Sequence, residues 1–595
     1  MPARALLCLC FLTAWSAAHS QRVFHLEPVV VTASRTDSTL VRTAGETYSM
    51  DRGRIQDAPA NGAVDLFAYI GGCDMARRGS GGIQADFSIR GSSFEQVLVL
   101  LDGVRMNNPQ TGHHNAAFPL TARQVNRVDV LAGNGSSLYG SGSFGGVVRL
   151  LSRRQDENRF DLELQTGTHR TFWGSASEAF CIGRLSGSVE VSKQRSDGYR
   201  FDTDYDAEAF AFQSSLRWNG GRVRGSFRRA KRDFGANGFY ADFPSREGTR
   251  LAHGCMEFET RLGSKANMLS RVFVNRFHDD FLLDVREPDG YHNRHATTVS
   301  GAAIEMNGGP GQWTGGLEIL SEAMNSSRLG NESRVTSSVW NETVFSVSER
   351  VRCTTGGRLE FYGDRGVQFN PSIGASCRLS RTWYYKASLG RAFRLPTFTE
   401  LYYRDPANVG DPFLEPERGW CGETGLVWRR KSGRFETTVF LRDERGRIDW
   451  IKDSDLDPWR AVNLPFNTVT GLSLSFEKSF GEGIALSGAL TEIRASAWTE
   501  TRSKYLSNAL RRQANLSASV AWSACLRQGL FLVFKKRRNA VPYALLDSKI
   551  AWSLKDVTLF VSGLNLLDSR AEDFPGVPLP GRECMAGCAV AMGDR

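Results

Sequence analysis

The chain has 595 residues, a formal net charge of +10 and a mean hydropathy of −0.32. That length exceeds one ordinary globular core, and after the N-terminal leader no run of about eighteen apolar residues occurs, which excludes helical membrane spans. The arginines are spread along the chain, so the positive charge suits an anionic lipid or ligand surface and gives no nucleic-acid footprint.

Arg4 precedes an apolar stretch from Ala5 to Trp15, followed by the small residues Ser16, Ala17, Ala18 and Ser20. This reads as a secretory signal peptide over residues 1–20, cut after Ser20 or, equally well by the small-residue rule, after Ala18. Cys8 and Cys10 lie inside the apolar core rather than at its end, against a lipid anchor. The exported chain opens, over residues 21–36, with the β-prone segment Pro28-Val29-Val30-Val31-Thr32-Ala33, which has no turn and no partner strand nearby. Such an orphan strand is suited to adding onto the sheet edge of another chain.

Next comes the run Val97 to Leu101, closed by Asp102-Gly103, a dipeptide that accepts the positive φ angles of a two-residue hairpin turn. From Arg127 a second strand passes through the glycines between Gly133 and Gly146 and resumes at Val147-Val148. Gly140-x-Gly142-x-x-Gly145 is not a dinucleotide fingerprint, because a strand and not a helix follows it, and no Gly-Lys-Ser/Thr closes a phosphate loop. These blocks, with Phe87-Ser88-Ile89-Arg90-Gly91, Leu101-Asp102-Gly103-Val104-Arg105 and Ser137-Leu138-Tyr139-Gly140 before Gly145-Gly146-Val147, resemble the plug domain of TonB-dependent outer-membrane receptors. The resemblance implies an α+β plug over 37–153 and makes residues 28–33 look like a Ton box, the segment that pairs with TonB.

From Arg154 to the C-terminus the pattern is period two in short segments, as in Phe160-x-Leu162-x-Leu164, Val189-x-Val191, Leu472-x-Leu474-x-Phe476 and Val557-x-Leu559-x-Val561. Such a long block of antiparallel strands behind a signal peptide favours a transmembrane β-barrel over residues 154–595, lipid outside and lumen inside. By resemblance the barrel has 22 strands. Two segments are similar to barrel signatures of the family: Gly390 to Tyr402 with Pro412 to Glu417, and Gly563 to Asp568 with Phe574-Pro575-Gly576 through Pro580-Gly581-Arg582. The implied protein is an all-β outer-membrane transporter of a diderm bacterium. It is expected to be a monomer in outer-membrane lipid, energised through TonB and specific for a small-molecule nutrient. Its size is nearest the vitamin B12 receptors, so a corrinoid leads and a ferric siderophore follows. The rival is an uncoupled passive or adhesive barrel that keeps the plug.

No catalytic constellation, Gly-x-Ser-x-Gly or His-Glu-x-x-His is present, so an enzyme is not expected, and no resident cofactor is required. His113, His114 and Asn115 fall where an apical plug loop faces the lumen and are candidates for substrate contact. Neighbours in an extended loop point apart, so at most one of the two imidazoles would face a given ion. Asn237, Tyr240, Tyr402 and Tyr403 are further loop candidates. Between Phe393-Arg394-Leu395-Pro396 and Asp411-Pro412-Phe413-Leu414 there is no histidine of the kind that haem receptors of the family carry.

Asp197, Asp202, Asp204 and Asp206 form an acidic cluster that suits calcium as an optional loop ligand, competing with plain turn chemistry. It is no EF-hand, since Ala207 and Gln213 occupy the required glycine and glutamate positions. Nine cysteines remain after the leader; an odd number excludes full intramolecular pairing. Resemblance further implies a latch of two plug arginines against two barrel glutamates. Arg90 and Glu423 match one pair, whereas Ala132 and Ser473 stand at the second, leaving a latch expected to hold more weakly. The chain also ends Ala589 to Arg595 without the usual terminal aromatic.

Overall fold

The computed structural model describes residues 29–30, 38–39, 45–154, 157–308, 313–363, 366–497 and 502–593. The leader, Pro28 and Val31 to Ala33 lie outside these residues. Val29–Val30 does have a partner: it pairs antiparallel with Ser38–Thr39, correcting the orphan-strand expectation.

The plug is built on a mixed five-stranded sheet of β1 (Glu46–Met50), β2 (Val97–Leu101), β3 (Val104–Arg105), β4 (Val125–Ala132) and β5 (Gly146–Ser152), in the order β1-β4-β5-β2-β3. β2 lies parallel to β5. Its unbroken apolar run follows from burial on both faces. Val97, Val99 and Leu101 enter the main core with Phe67, Phe87 and Val148, whereas Leu98 and Leu100 join Leu131, Val147 and Leu138 against Trp340 of the barrel. Asp102 and Gly103 both adopt positive φ, 51° and 84°, as the two-residue hairpin requires. The glycine run turns the chain out of β4, through the short helix Ser136–Tyr139, and back into β5. At Gly140 φ is 76°, and a Cβ there would stand 2.4 Å from Glu360 Oε2 of the barrel wall, so glycine is needed twice over.

Around the plug, 22 long antiparallel strands close a barrel; the two-residue strands Asn408–Val409 and Arg502–Ser503 extend it at one end. Closure joins Arg159–Gly167 to Glu583–Gly593, pairing Phe160 with Met592. Turns at one end are as short as 183–184, 219–220 and 431–432, whereas the other end carries the connections 395–416 and 565–582. Outside, alternate positions such as Leu317, Ile319, Val439, Leu441, Leu559 and Val561 are exposed apolar side chains, the surface that a bilayer covers. Trp218, Trp313, Trp383, Trp522 and Trp552 girdle the short-turn end at the level expected for a membrane interface. The intervening positions point inward and are polar, as Asp161, Glu163 and Gln165 show. No described helix is long and apolar enough to cross a membrane. All nine described cysteines are free thiols, with Cys73, Cys255 and Cys421 buried.

Candidate functional site: the plug apex and its buried anchors

Arg90 does reach Glu423, at 2.6 Å, with 4% and 8% of the two side chains exposed. It stands where Arg90 and Gly91 both take positive φ, 51° and 72°, a turn that throws the guanidinium at the wall. For a non-glycine residue that conformation costs about 1–2 kcal/mol. The ring of Phe440 lies 4.2 Å beneath the guanidinium carbon. The second carboxylate on Arg90 comes from the plug itself: Glu46, 1% exposed, pairs with the other terminal nitrogen. Glu46 sits directly opposite Ala132 in the ladder, so the plug supplies an acid beside the vacant arginine position. Its backbone N–H also donates to Glu423 Oε1 at 2.8 Å, and Tyr48 donates to its Oε1 at 2.9 Å. Ser473 is buried in the wall and makes no charge pair.

The mid-barrel signature is a second anchor. After the strand Trp383–Arg394, Thr397 caps the helix Phe398–Tyr402 and Glu400 closes the capping box. Arg394 then lies between Glu400 (2.8 Å) and Glu417 (2.9 Å), all three buried, and Gln96 of the plug donates to Glu417 at 2.8 Å. The motif residues thus fold the loop 395–416 back onto the plug. A third anchor was not legible in the sequence. Asp573, fully buried in the connection 565–582, accepts from Arg77 N (2.9 Å), Arg537 (2.8 Å) and Tyr543 (2.6 Å), while plug Asp74 pairs with Lys535 and Arg537, each at 2.9 Å. Asp573 directly precedes the Phe574-Pro575-Gly576 turn, which was the only signal for it.

Glu95 lies beside the second anchor, near Glu400 and Arg394, accepting from Gly112 N at 2.8 Å. Burial, and then the neighbouring Glu400, pushes its pKa up to about 8. A carboxyl raised in the fold contributes stability that is complete below its ordinary value of 4.5 and is lost as pH rises through about 8. Glu95→Gln should therefore flatten the decline of Tm across that window. Native protein with a flat profile, or a glutamine variant with the native slope, would contradict the assignment.

At the apex the two histidines do point apart. His113 sits 3.0 Å from Asp86 and stacks on Phe94 at 4.3 Å, while His114 faces Asp279 (3.4 Å) and Glu247 (3.8 Å) of the barrel. Tyr240 joins them, edge-on to His113 at 6.0 Å and donating to Glu247 at 2.7 Å. The other candidates serve the loops. Asn115 is buried and accepts from Asn108 N at 2.9 Å; Asn237 donates to Phe201 O at 2.9 Å; Tyr403 meets Tyr291 at 3.0 Å; Tyr402 packs beside Phe398. The acidic cluster is not assembled. Asp197 pairs with Arg170, Asp204 with Arg246 and Asp206 with Lys193, and Asp202 lies 3.9 Å from Arg246. Among the described residues none of the four belongs to a group of three donors within reach of one ion. The reason is local: the strand beginning at Tyr205 carries Asp206 away from the loop, and cations already occupy these carboxylates. Sequence reasoning missed the rim. Phe201, Phe243, Phe413, Leu456 and Val541 stand exposed on separate loops at the long-loop end, 88% for Phe413 and 98% for Leu456. Between apex and wall lies a cavity of about 80 Å³, bordered by Asp65, Arg77, Tyr205 and Glu583.

A lipid-facing barrel whose lumen is filled by an N-terminal plug defines an outer-membrane receptor and transporter. Residues 39–147 match the TonB-dependent receptor plug domain and residues 111–566 the TonB-dependent receptor-like β-barrel, and the chain belongs to the TonB-dependent receptor family. It is 22% identical over 547 residues to the vitamin B12 transporter BtuB of Vibrio vulnificus (strain YJ016), covering 84% of this chain and 83% of that one. It is 23% identical over 471 residues to the iron-regulated outer membrane virulence protein of Vibrio cholerae (strain N16961), covering 70% of each. The siderophore receptor PirA of Pseudomonas aeruginosa shares the fold, with a TM-score of 0.75 at 17% identity over 92% of this chain and 99% of that one.

Proposed function

We propose that this receptor imports a scarce extracellular nutrient by coupled movement of its plug, with a corrinoid as the preferred substrate and a ferric siderophore next. The observation that carries this reading is the plug itself, which fills the lumen and is tied to the wall by buried ion pairs. The 80 Å³ beside the apex is far below the roughly 300–1,000 Å³ of sites for drug-sized ligands, so this cavity does not hold the cargo with the plug seated as it is. First contact falls to the exposed apolar rim with Tyr240, and His113 and His114 lie nearly buried beneath it as contacts for seated cargo; Tyr402 and Tyr403 shape the floor of the loop behind Phe413, and Asn115 and Asn237 brace their loops. TonB, by strand addition at Pro28 to Ala33, supplies the pull, and Arg90 with Glu423 is the latch that must open. The leader at 1–20 directs export. The corrinoid preference rests on the extent of the match to a vitamin B12 transporter.

The test is equilibrium binding of labelled cyanocobalamin to de-energised cells displaying the protein, beside a labelled ferric catecholate. Saturable cyanocobalamin binding lost on Phe413→Asp is the expected result. Binding of the iron chelate alone would move the substrate to the second class; binding of neither, with display confirmed, would remove both.

A further inference from the structure

We propose that His114, Glu247 and Asp279 form a binding site for one divalent transition-metal ion, Zn²⁺ first, at the seam between plug and barrel. Glu247 and Asp279 belong to neighbouring strands, Arg246–Leu262 and Ala266–Leu282, in which Asp279 pairs with Thr249. Glu247 is two residues from Thr249, so both carboxylates project from the same face into the lumen as diagonal neighbours. The short turn Gly112–His114 of the plug brings the imidazole between them. One donor atom from each of the three lies within 4.8 Å of the others.

Several features fit a metal. His114 Nε2 to Asp279 Oδ2 is 3.4 Å, close to the ~3.4 Å edge of a tetrahedron built on Zn–N and Zn–O bonds of about 2.0–2.1 Å, while Glu247 Oε1 lies 3.8 Å from Nδ1, so Glu247 or the ring must turn for all three to meet one ion. Glu247 Oε1 and Asp279 Oδ1 are buried and have no hydrogen-bond partner, although the residues are only 1% and 7% exposed. Tyr240 holds the other Glu247 oxygen at 2.7 Å, which fixes the carboxylate with Oε1 turned to the site. Phe277 lies against the His114 ring at 4.5 Å and sets its plane. A divalent ion with a neutral imidazole would balance the two carboxylates in charge. One imidazole with two carboxylates suits zinc-like ions with a position left open, and is too few oxygens for Ca²⁺. An ion here clips the plug apex to two wall strands. The inference does not depend on which nutrient is carried.

The experiment is calorimetric titration of chelator-treated, full-length protein in detergent with Zn²⁺, and with Ca²⁺ in parallel. The expected result is one Zn²⁺ per chain, no Ca²⁺ at that site, and affinity reduced about 10-fold or more in both His114→Gln and Asp279→Asn. Affinity should be unchanged in His292→Gln, whose imidazole pairs with Asp280 on the exposed side. Heat-modifiable migration on gels checks that each variant folds. Should a variant fail to fold, X-ray absorption of the native zinc complex replaces it, with an N/O shell and one imidazole expected. No stoichiometric zinc, native affinity in either site variant, loss in His292→Gln, or a sulfur or multi-imidazole shell would each overturn the proposal.

Discussion

Arg90→Met should destabilise the seated plug by about 3–5 kcal/mol, the cost of removing one partner from a buried charge group. The substitution keeps the aliphatic stem over Phe440 and leaves Glu46 and Glu423 facing each other with no cation between them. Burial already raises the Glu46 pKa, and Arg90 is the largest influence opposing that rise. Without Arg90 the carboxyl moves further up, so the variant regains stability as pH falls and its Tm deficit narrows on acidification. Thermal unfolding across pH reads this directly, and planar-bilayer conductance reads the loosened plug. An unchanged Tm with no added conductance would contradict the anchor. A double-mutant cycle on Arg90 and Glu423 should give a coupling of about 1–3 kcal/mol; zero coupling would remove the pair from the latch.

Val30→Pro should weaken association with the periplasmic domain of TonB by about tenfold or more and remove energised uptake. Proline takes away the Val30 N–H, and its ring excludes a neighbouring strand on that side. One lost ladder bond is worth about 0.5–1.5 kcal/mol, to which the steric exclusion adds. Among the described residues Val29–Val30 is paired with Ser38–Thr39. A two-residue ladder is marginal by itself, so little opposes its exchange for a longer pairing with TonB. Titration of the purified receptor with that domain checks the prediction; equal affinity of native and variant chains would place the contact elsewhere.

What was legible depended on whether a signal is local. The Asp102-Gly103 turn, the period-two strands and the glycine-bounded return into β5 are dictated by backbone geometry and burial within a few residues, and all were readable. His113 and His114 do face different partners, but from the single turn Gly112–His114 and not from the extended loop on which that expectation rested. Glu46, Asp74 and Asp573 were not legible, because an isolated acid in a strand or loop acquires its meaning from a cation on another element, here 44, 463 and 36 residues away. The vacancy at Ala132 and Ser473 therefore suggested a weaker attachment, whereas the fold recruits Glu46 beside Arg90 and separate anchors at Arg394 and Asp573. The four-aspartate cluster failed for the opposite reason. Sequence proximity suggested convergence, and strand direction with nearby arginines and lysine separated the carboxylates. Exposed Phe201, Phe243 and Phe413 carried no periodicity to mark them, since loop tips are outside any repeating pattern.

The most direct measurement is time-resolved uptake of labelled cyanocobalamin by cells displaying the native chain, with the proton gradient intact and then collapsed, and by cells lacking TonB. Accumulation that needs both the gradient and TonB, over surface binding that needs neither, is the predicted result. Uptake indifferent to the gradient and to TonB would contradict the account and leave an uncoupled barrel.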